Sequence, residues 1–199
     1  MTGSLLLTLM AQGPPATARV LMTRQEALEL AFPGARMERR NAYLDEDQLK
    51  RVKSLCGRGV MVNRALVPYY LAWREGRLLG AAYFDTHQVR TQMETVMITV
   101  APSGKIGRIE ILSFNEPADY LARAAWLAQF EGRGLDAELS LKRAIHPMTG
   151  ASLSARAITR AARRILAYHQ VIGPGAAAGK ESPPPSHGRK PARPQGEKP

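Results

Sequence analysis

Small and hydroxylated residues lie directly before a basic helical pattern near the end of the chain, in the segment His146–Ser154. Gly150 and Ala151 would let the backbone approach a bound group closely, and the free N–H groups of the first helical turn after Ser152 would point at it. The helix dipole and the guanidinium of Arg156 would favour negative charge at this point. The hydroxyl groups that could donate to that charge, or act as a nucleophile, belong to Thr149, Ser152 and Ser154. The segment is therefore a candidate phosphate site.

The same segment also suits an ordinary helix N-terminus. Serine and threonine are common before helices because their side-chain oxygens accept hydrogen bonds from the free N–H groups of the first turn. On the residues alone, the phosphate site and the plain helix cap both remain open.

A series of strands is predicted before this segment. Leu66–Trp73 and Arg77–Phe84 are rich in aromatic and branched residues and flank Glu75–Gly76, which is typical of a β-hairpin. Glu94–Ala101 and Lys105–Leu112 each alternate polar and apolar residues, with a turn between them. The order predicts a meander of antiparallel strands.

Helices are predicted on both sides of the strands. Thr23–Glu26 has the spacing of a capping box and predicts a short helix that ends before Pro33–Gly34. The other three predicted helices cover Gln48–Leu55, Ala118–Phe130 and about Ser154–Tyr168. Helices before and after a run of strands indicate an α+β fold.

The composition limits the classes of function. The chain has 199 residues, of which 45% are hydrophobic, as expected for one globular domain. Cys56 is the single cysteine, no Cys/His spacing predicts a metal site, and no apolar run approaches the roughly 20 residues that cross a bilayer. The net charge of +11 and the arginines between Arg156 and Arg164 allow a nucleic-acid-binding protein as an alternative, although no known nucleic-acid-binding motif is present.

The two ends of the chain differ from the middle. Residues 1–18 hold a short apolar run followed by small residues, which resembles an export signal without its basic first part; either the true start lies upstream or this is an unstructured terminus. Residues 173–199 contain seven prolines and five glycines and carry a net positive charge. We predict that they form a disordered basic tail, a linker or weak electrostatic tether. Residues 19–172 remain as the folded domain.

Four segments occur in the order found in a known family. They are Val96–Val100, Ser103–Ile106, Ile109–Pro117 and Thr149–Ser154. Together they resemble the FMN-binding domain family, over roughly Leu66–His169. The resemblance implies that the antiparallel sheet is strongly bent, like half of a barrel, and that the bound cofactor is FMN.

The resemblance also implies roles for particular residues. Ser152 takes the place of the hydroxyl acceptor to which a separate flavin transferase joins FMN through a phosphoester. The residues around it in the motif, implied to contact the cofactor, are Thr149, Gly150, Ala151, Leu153 and Ser154. Glu116 and Pro117 match a turn near the flavin. The implied function is electron transfer in the bacterial cell envelope, in the periplasm or at the membrane surface, by a carrier with redox partner proteins rather than a stand-alone enzyme.

Several alternatives accompany this interpretation. Glu116 could fix the edge of the flavin ring or the shape of its own loop, and Pro117 also suits a plain helix start. Three aromatic residues could be neighbours of a flavin, although aromatic residues in strands and helices more often pack in the hydrophobic core. They are Trp73, Tyr83 and Trp126. The other reactive side chains, interpreted as packed or solvated, belong to His87, His169 and Cys56. A flavin-free scaffold or assembly protein of the same fold also remains possible.

Overall fold

A five-stranded antiparallel sheet forms the centre of the fold in the computed structural model, which describes residues 19–174. The strands are β1 (Arg36–Tyr43), β2 (Leu66–Arg74), β3 (Arg77–Gln88), β4 (Met93–Val100) and β5 (Ile106–Phe114), and the α-helices are α1 (Arg24–Ala31), α2 (Glu46–Cys56), α3 (Ala124–Leu127) and α4 (Ser152–Ile172). Each strand pairs with the next along the chain, so the sheet is an open meander. Register shifts between β2 and β3 and between β4 and β5 bend the strands. The predicted α+β fold and strand meander are confirmed.

Local signals account for the hairpin and the first two helices. Arg74 pairs with Arg77, and Glu75 and Gly76 between them have φ angles of 49° and 75°, as a two-residue hairpin turn requires. The capping box at the start of α1 has both of its hydrogen bonds, between Thr23 and Glu26. These predictions are confirmed because each depends only on neighbouring residues.

Strand β1 was not predicted. Its sequence is mostly polar and charged, so it has no clear apolar alternation. It nevertheless pairs with β2 along its whole length, from Arg36 opposite Trp73 to Tyr43 opposite Leu66. It lies at the edge of the sheet, where charged side chains discourage pairing with another chain.

The single helix predicted over Ala118–Phe130 is wrong. The segment consists of a 3₁₀ turn at Ala118–Tyr120, the one-turn helix α3 and a second 3₁₀ turn at Ala128–Phe130. Leu121 and Arg123 are extended, with ψ angles of 128° and 153°, and interrupt the helix. The interrupted path buries Leu127 and Phe130 against the sheet, and this burial outweighs a weak helix propensity.

The sheet has an apolar layer on each face. On one face, α2 and α4 pack over a large core that contains Tyr69, Tyr83, Val96, Ile98, Ile109 and Ile158. On the other face, α1 covers a smaller cluster of Ala27, Leu28, Ala82, Met97 and Leu112. Tyr83 and Ala82 are neighbours on β3 and lie on opposite faces, as the strand period requires. Helix α4 is therefore fixed over the middle of the sheet.

Candidate functional site

Helix α4 begins at Ser152, two residues earlier than predicted, and no side chain caps it. Ala151 is the N-cap residue, with φ −125° and ψ 41°, and it makes no side-chain hydrogen bond to the helix. The plain capping interpretation is therefore wrong for this helix start. The first-turn N–H groups of a helix have no partner within the helix, so an uncapped start offers them to a ligand.

The segment before α4 is held by α3 and the turn that follows it. The indole N–H of Trp126 donates to the carbonyl oxygen of His146 over 2.9 Å, and the backbone N–H of His146 donates to Gln129 Oε1 over 2.8 Å. Gly150 has a φ of 77°, which lets the chain turn into the helix. The segment is therefore a defined loop anchored to the core.

The predicted phosphate-contact residues differ in exposure. Thr149, Gly150, Ser152 and Leu153 are exposed, and Ala151 is buried. Ser154 is also buried, and its Oγ makes no hydrogen bond among residues 19–174. A buried hydroxyl without a partner is rare in folded proteins. The helix start thus retains unused hydrogen-bonding capacity at the position where the sequence predicts a phosphate.

A cavity of about 480 Å³ lies beside the first turns of α4. Its walls are α4, β3, the loop that follows α2 and the first residues of β2 and β4. Four arginines line it, Arg64, Arg156, Arg160 and Arg164, against one lining carboxylate, Asp85. The volume is in the range of roughly 300–1,000 Å³ that small-molecule sites occupy, and the excess of positive charge favours an anionic ligand.

One predicted contact residue lines this cavity directly. Leu153 faces it, followed by Arg156, Ala157 and Arg160 at helical spacing. Ser152 lies one turn before Arg156, and residues four apart on a helix are neighbours on its surface. Ser152 itself does not line the cavity, but its neighbour Leu153 and Arg156, one turn further along, both do.

Glu116 shapes the turn between β3 and β4. Its Oε1 accepts hydrogen bonds from the backbone N–H groups of Arg90, Thr91 and Gln92 over 3.2, 2.6 and 2.8 Å. These hydrogen bonds, strongest from Thr91, lower the pKa of Glu116. Pro117 precedes the 3₁₀ turn that starts at Ala118. Neither Glu116 nor Pro117 lines the cavity, and the loop-shape alternative describes what the Glu116 side chain does in this structure.

Sequence reasoning missed a buried charged cluster at the cavity, made of Asp85, His87, Glu94 and Arg164. Arg164 donates to both carboxylate oxygens of Asp85 over 2.6 and 2.8 Å. His87 Nδ1 lies 2.9 Å from Asp85 Oδ1, and its Nε2 lies 3.0 Å from Glu94 Oε2. His87 was interpreted as a plain packed or solvated histidine, although one of its partners, Asp85, lies on its own strand and the other, Glu94, lies on β4. The alternation Asp85-Thr86-His87, with both charged residues on one face of a strand, is the signal that could have revealed part of the cluster.

The surroundings determine the charge states in the charged cluster. Burial tends to raise the pKa of Asp85, but hydrogen bonds from His87 and Arg164 outweigh it and hold that pKa well below its usual range. Burial tends to lower the pKa of His87, but its hydrogen bonds to Asp85 and Glu94 raise it overall. Asp85 is therefore ionised at neutral pH, and His87 holds its second proton more tightly than a solvated histidine.

The aromatic candidates have different positions. Tyr83 lines the cavity, stacks on Tyr69 with ring centroids 5.7 Å apart, and places its hydroxyl 3.0 Å from His169 Nδ1. Trp73 instead donates to Glu38 Oε2 across the β1–β2 pair, and Trp126 holds the His146 loop. Only Tyr83 of the three candidate flavin neighbours is in the cavity wall.

Two further side chains are chemically quiet at neutral pH. Burial lowers the pKa of His169 to about 4, so this histidine is neutral. Burial raises the pKa of the Cys56 thiol to about 11, so it is not a thiolate nucleophile.

Two of the arginines on which the nucleic-acid alternative depends are engaged inside the protein. Arg163 donates to backbone carbonyls, including that of Cys56, and Arg164 pairs with Asp85.

Comparison with known proteins concerns the part of the chain that contains this site. The model of the FMN-binding domain family matches residues 92–167. The crystal structure of NqrC from Shewanella oneidensis aligns with a TM-score of 0.51 at 13% sequence identity, covering 71% of this chain and 84% of NqrC, which is a likeness of fold. No curated protein sequence matches the chain significantly. The stretch that matches the FMN-binding domain model therefore contains β4, β5 and most of α4, the elements beside the candidate site.

Proposed function

We propose that this protein is an electron carrier whose FMN is attached by a phosphoester to Ser152 and passes electrons between partner proteins of the bacterial cell envelope. The observation that carries the proposal is the uncapped, serine-initiated start of α4 beside an arginine-rich cavity. Bound FMN would supply the redox chemistry, by accepting and releasing electrons at its ring.

The residues at the helix start suit a flavin phosphate. The first-turn N–H groups and the positive end of the 21-residue helix α4 favour a phosphate on Ser152. Arg156, one turn further along, lines the cavity and supplies a full positive charge on the same side. The buried, unpartnered Oγ of Ser154 is an additional donor within the first turn. These groups would hold the phosphate while the ring occupies the cavity.

Attachment requires an external enzyme in this proposal. The exposed Ser152 hydroxyl attacks the pyrophosphate of an FAD molecule held by a flavin transferase. The Oγ–P bond forms, the P–O bond between the two phosphates breaks, AMP leaves, and the hydroxyl proton passes to a base of the transferase or to water. The chain is thus the substrate of flavinylation.

The location and the partners follow from the same proposal. A covalent tether prevents loss of the cofactor by dilution outside the cytoplasm, and residues 1–18, which resemble part of an export signal, lie outside the described residues. Between Arg19 and Pro174, no helix has the length and apolar character needed to cross a membrane. NqrC has a similar fold, and we propose membrane-associated redox proteins as partners. Fractionation of cells that make the full chain tests the location, and recovery in the cytoplasmic fraction would contradict it.

The attachment is tested by intact mass of the full chain co-produced with a flavin transferase, together with flavin fluorescence after denaturation. We expect an added mass of one FMN less one water in the wild type and in Ser152→Thr, which keeps a hydroxyl, and none in Ser152→Ala. Thr149→Ala is the matched control, because it removes an exposed hydroxyl from the same segment without removing the acceptor.

The other outcomes point to different functions. An added mass that persists in Ser152→Ala and disappears in Thr149→Ala would move the acceptor to Thr149. An unmodified protein that binds free FMN would indicate a non-covalent carrier. An unmodified, colourless protein that binds no FMN would favour the flavin-free scaffold.

A further inference from the structure

The hydrogen bonds of His87 require one more proton than a neutral imidazole supplies. Its two ring nitrogens each face a carboxylate oxygen, Asp85 Oδ1 at 2.9 Å and Glu94 Oε2 at 3.0 Å. A neutral imidazole has one N–H donor, whereas ionised carboxylates only accept. Both contacts are satisfied when His87 is the imidazolium, or when the additional proton is on Glu94 Oε2 and is donated to His87 Nε2.

The charge balance of the charged cluster requires the same additional proton. Arg164 contributes one positive charge, and Asp85 and Glu94 contribute one negative charge each, so the sum is zero only when the additional proton is present. Glu94 is 0% exposed and Asp85 is 5% exposed. An uncompensated buried charge is costly, so the charged cluster retains the proton at neutral pH.

The charges that surround His87 come from several elements. Asp85 lies on its own strand, Glu94 faces it from β4, and Arg164 reaches it from α4 through Asp85. Arg64 from the loop after α2, and Arg160 and Arg156 from α4, line the same cavity and oppose protonation of His87. The two direct carboxylate contacts outweigh these more distant arginines.

The charged cluster is oriented with respect to the cavity. His87, whose side chain is 11% exposed, and Arg164 line the cavity wall, whereas Glu94 lies behind the wall with its Oε1 unpartnered among the described residues. The positive groups therefore face the ligand, and one balancing negative group is turned away from it. Loss of the proton would leave the charged cluster with a net negative charge and would reduce the positive charge that the four arginines give the wall.

We propose that the proton held between His87 and Glu94 adds positive charge to the arginine-rich cavity wall and so tightens binding of an anionic ligand. The inference rests on the proposed function for the identity of that ligand, FMN. By thermodynamic linkage, a ligand that binds more tightly to the protonated protein also makes that proton harder to remove. Affinity falls as pH rises through the titration of His87, and the released proton goes to solvent.

The first test needs no flavin. We would follow the ring C–H resonances of His87 by NMR in the full-length, flavin-free Ser152→Ala protein, with His169 as an internal reference that titrates near pH 4. We expect His87 to titrate above the ordinary histidine range, and to titrate at lower pH when Glu94→Gln removes the carboxylate but keeps the side-chain shape. Titration of His87 in or below the ordinary range, or no change in Glu94→Gln, would overturn the inference.

The second test measures FMN affinity of the Ser152→Ala protein against pH by flavin fluorescence. We expect affinity to fall about tenfold for each unit by which FMN raises the pKa of His87. The fall should disappear in His87→Gln and move to lower pH in Glu94→Gln, with folding of each variant checked by circular dichroism. Riboflavin, which lacks the phosphate, should show a smaller fall.

The outcomes separate the two proposals. Failure of the wild-type cavity to bind FMN at any pH would refute the proposed function and the ligand assigned here, while the NMR titration would still report on the proton. FMN binding with the same pH dependence in folded His87→Gln would refute this inference and leave the proposed function intact.

Discussion

Arg164 stabilises the fold through the charged cluster, and its removal is the most demanding test of that geometry. The guanidinium makes two hydrogen bonds to Asp85, and the side chains of Arg164 and Asp85 are 13% and 7% exposed. Arg164→Met keeps most of the apolar stem but leaves Asp85 paired with His87 alone. Removal of one partner from a buried ion pair costs about 3–5 kcal/mol in the free energy of unfolding.

The cost should appear in urea unfolding at pH 7 and as a fall in Tm of roughly 6–20 °C, at about 2–4 °C per kcal/mol for a chain of this size. The pKa of Asp85 is lowered in the folded protein, so its contribution is present above its unfolded pKa and is lost as pH falls through the folded pKa. The difference between wild type and Arg164→Met should therefore narrow below about pH 4.

A double-mutant cycle with Asp85→Asn isolates the pair. Because the double variant leaves no carboxylate at residue 85 without its arginine, its loss of stability should be clearly smaller than the sum of the two single losses. A loss below about 1 kcal/mol in Arg164→Met at pH 7, or additive losses in the cycle, would refute the role assigned to this ion pair.

Three further changes test other parts of the structure. Glu116→Ala removes the acceptor of three backbone N–H groups, so we expect a loss of about 1–3 kcal/mol and faster hydrogen exchange at the Thr91 amide, whereas unchanged exchange would contradict the turn-stabilising role. Ile158→Ala leaves a cavity under α4 and should cost about 2–5 kcal/mol in urea unfolding; a cost below 1 kcal/mol would mean that α4 is not packed as described. The lowered pKa of His169 means that the folded state resists protonation, so stability should decline as pH falls from about 6.5 towards 4, and this decline should be absent in His169→Gln.

The sequence predicted those elements whose signals are local. The capping box at Thr23 and the turn at Glu75–Gly76 involve residues close together in the chain, and both have their predicted form. β4 is also a strand as predicted, but every residue from Val96 to Val100 is buried, so its burial does not alternate. The predictions failed where packing decided the path. β1 is a strand because β2 offers it a partner, and the helix after Pro117 is interrupted because Leu127 and Phe130 are buried.

The candidate site was predicted in part for the same reason. A short motif identified the start of α4, since hydroxyl and small residues before a basic helix are visible in one stretch of sequence. The charged cluster was missed because Arg164 is 79 residues from its partner Asp85. Glu116 combines a local signal with long-range contacts. Its motif was recognised in the sequence, but its hydrogen bonds to the β3–β4 turn come from residues 24–26 positions earlier and were not predicted.

By itself the sequence determined the fold class, the order of strands β2 to β5, the helix that could receive a phosphate and the hydroxyl group at its start. Period, turn chemistry and helix ends are properties of neighbouring residues. The tertiary structure decided that this helix start is uncapped and adjoins a cavity lined by arginines, and that His87 lies between two carboxylates. Those properties depend on which distant side chains meet and how much water they exclude, and therefore they appear only when β3, β4 and α4 pack together.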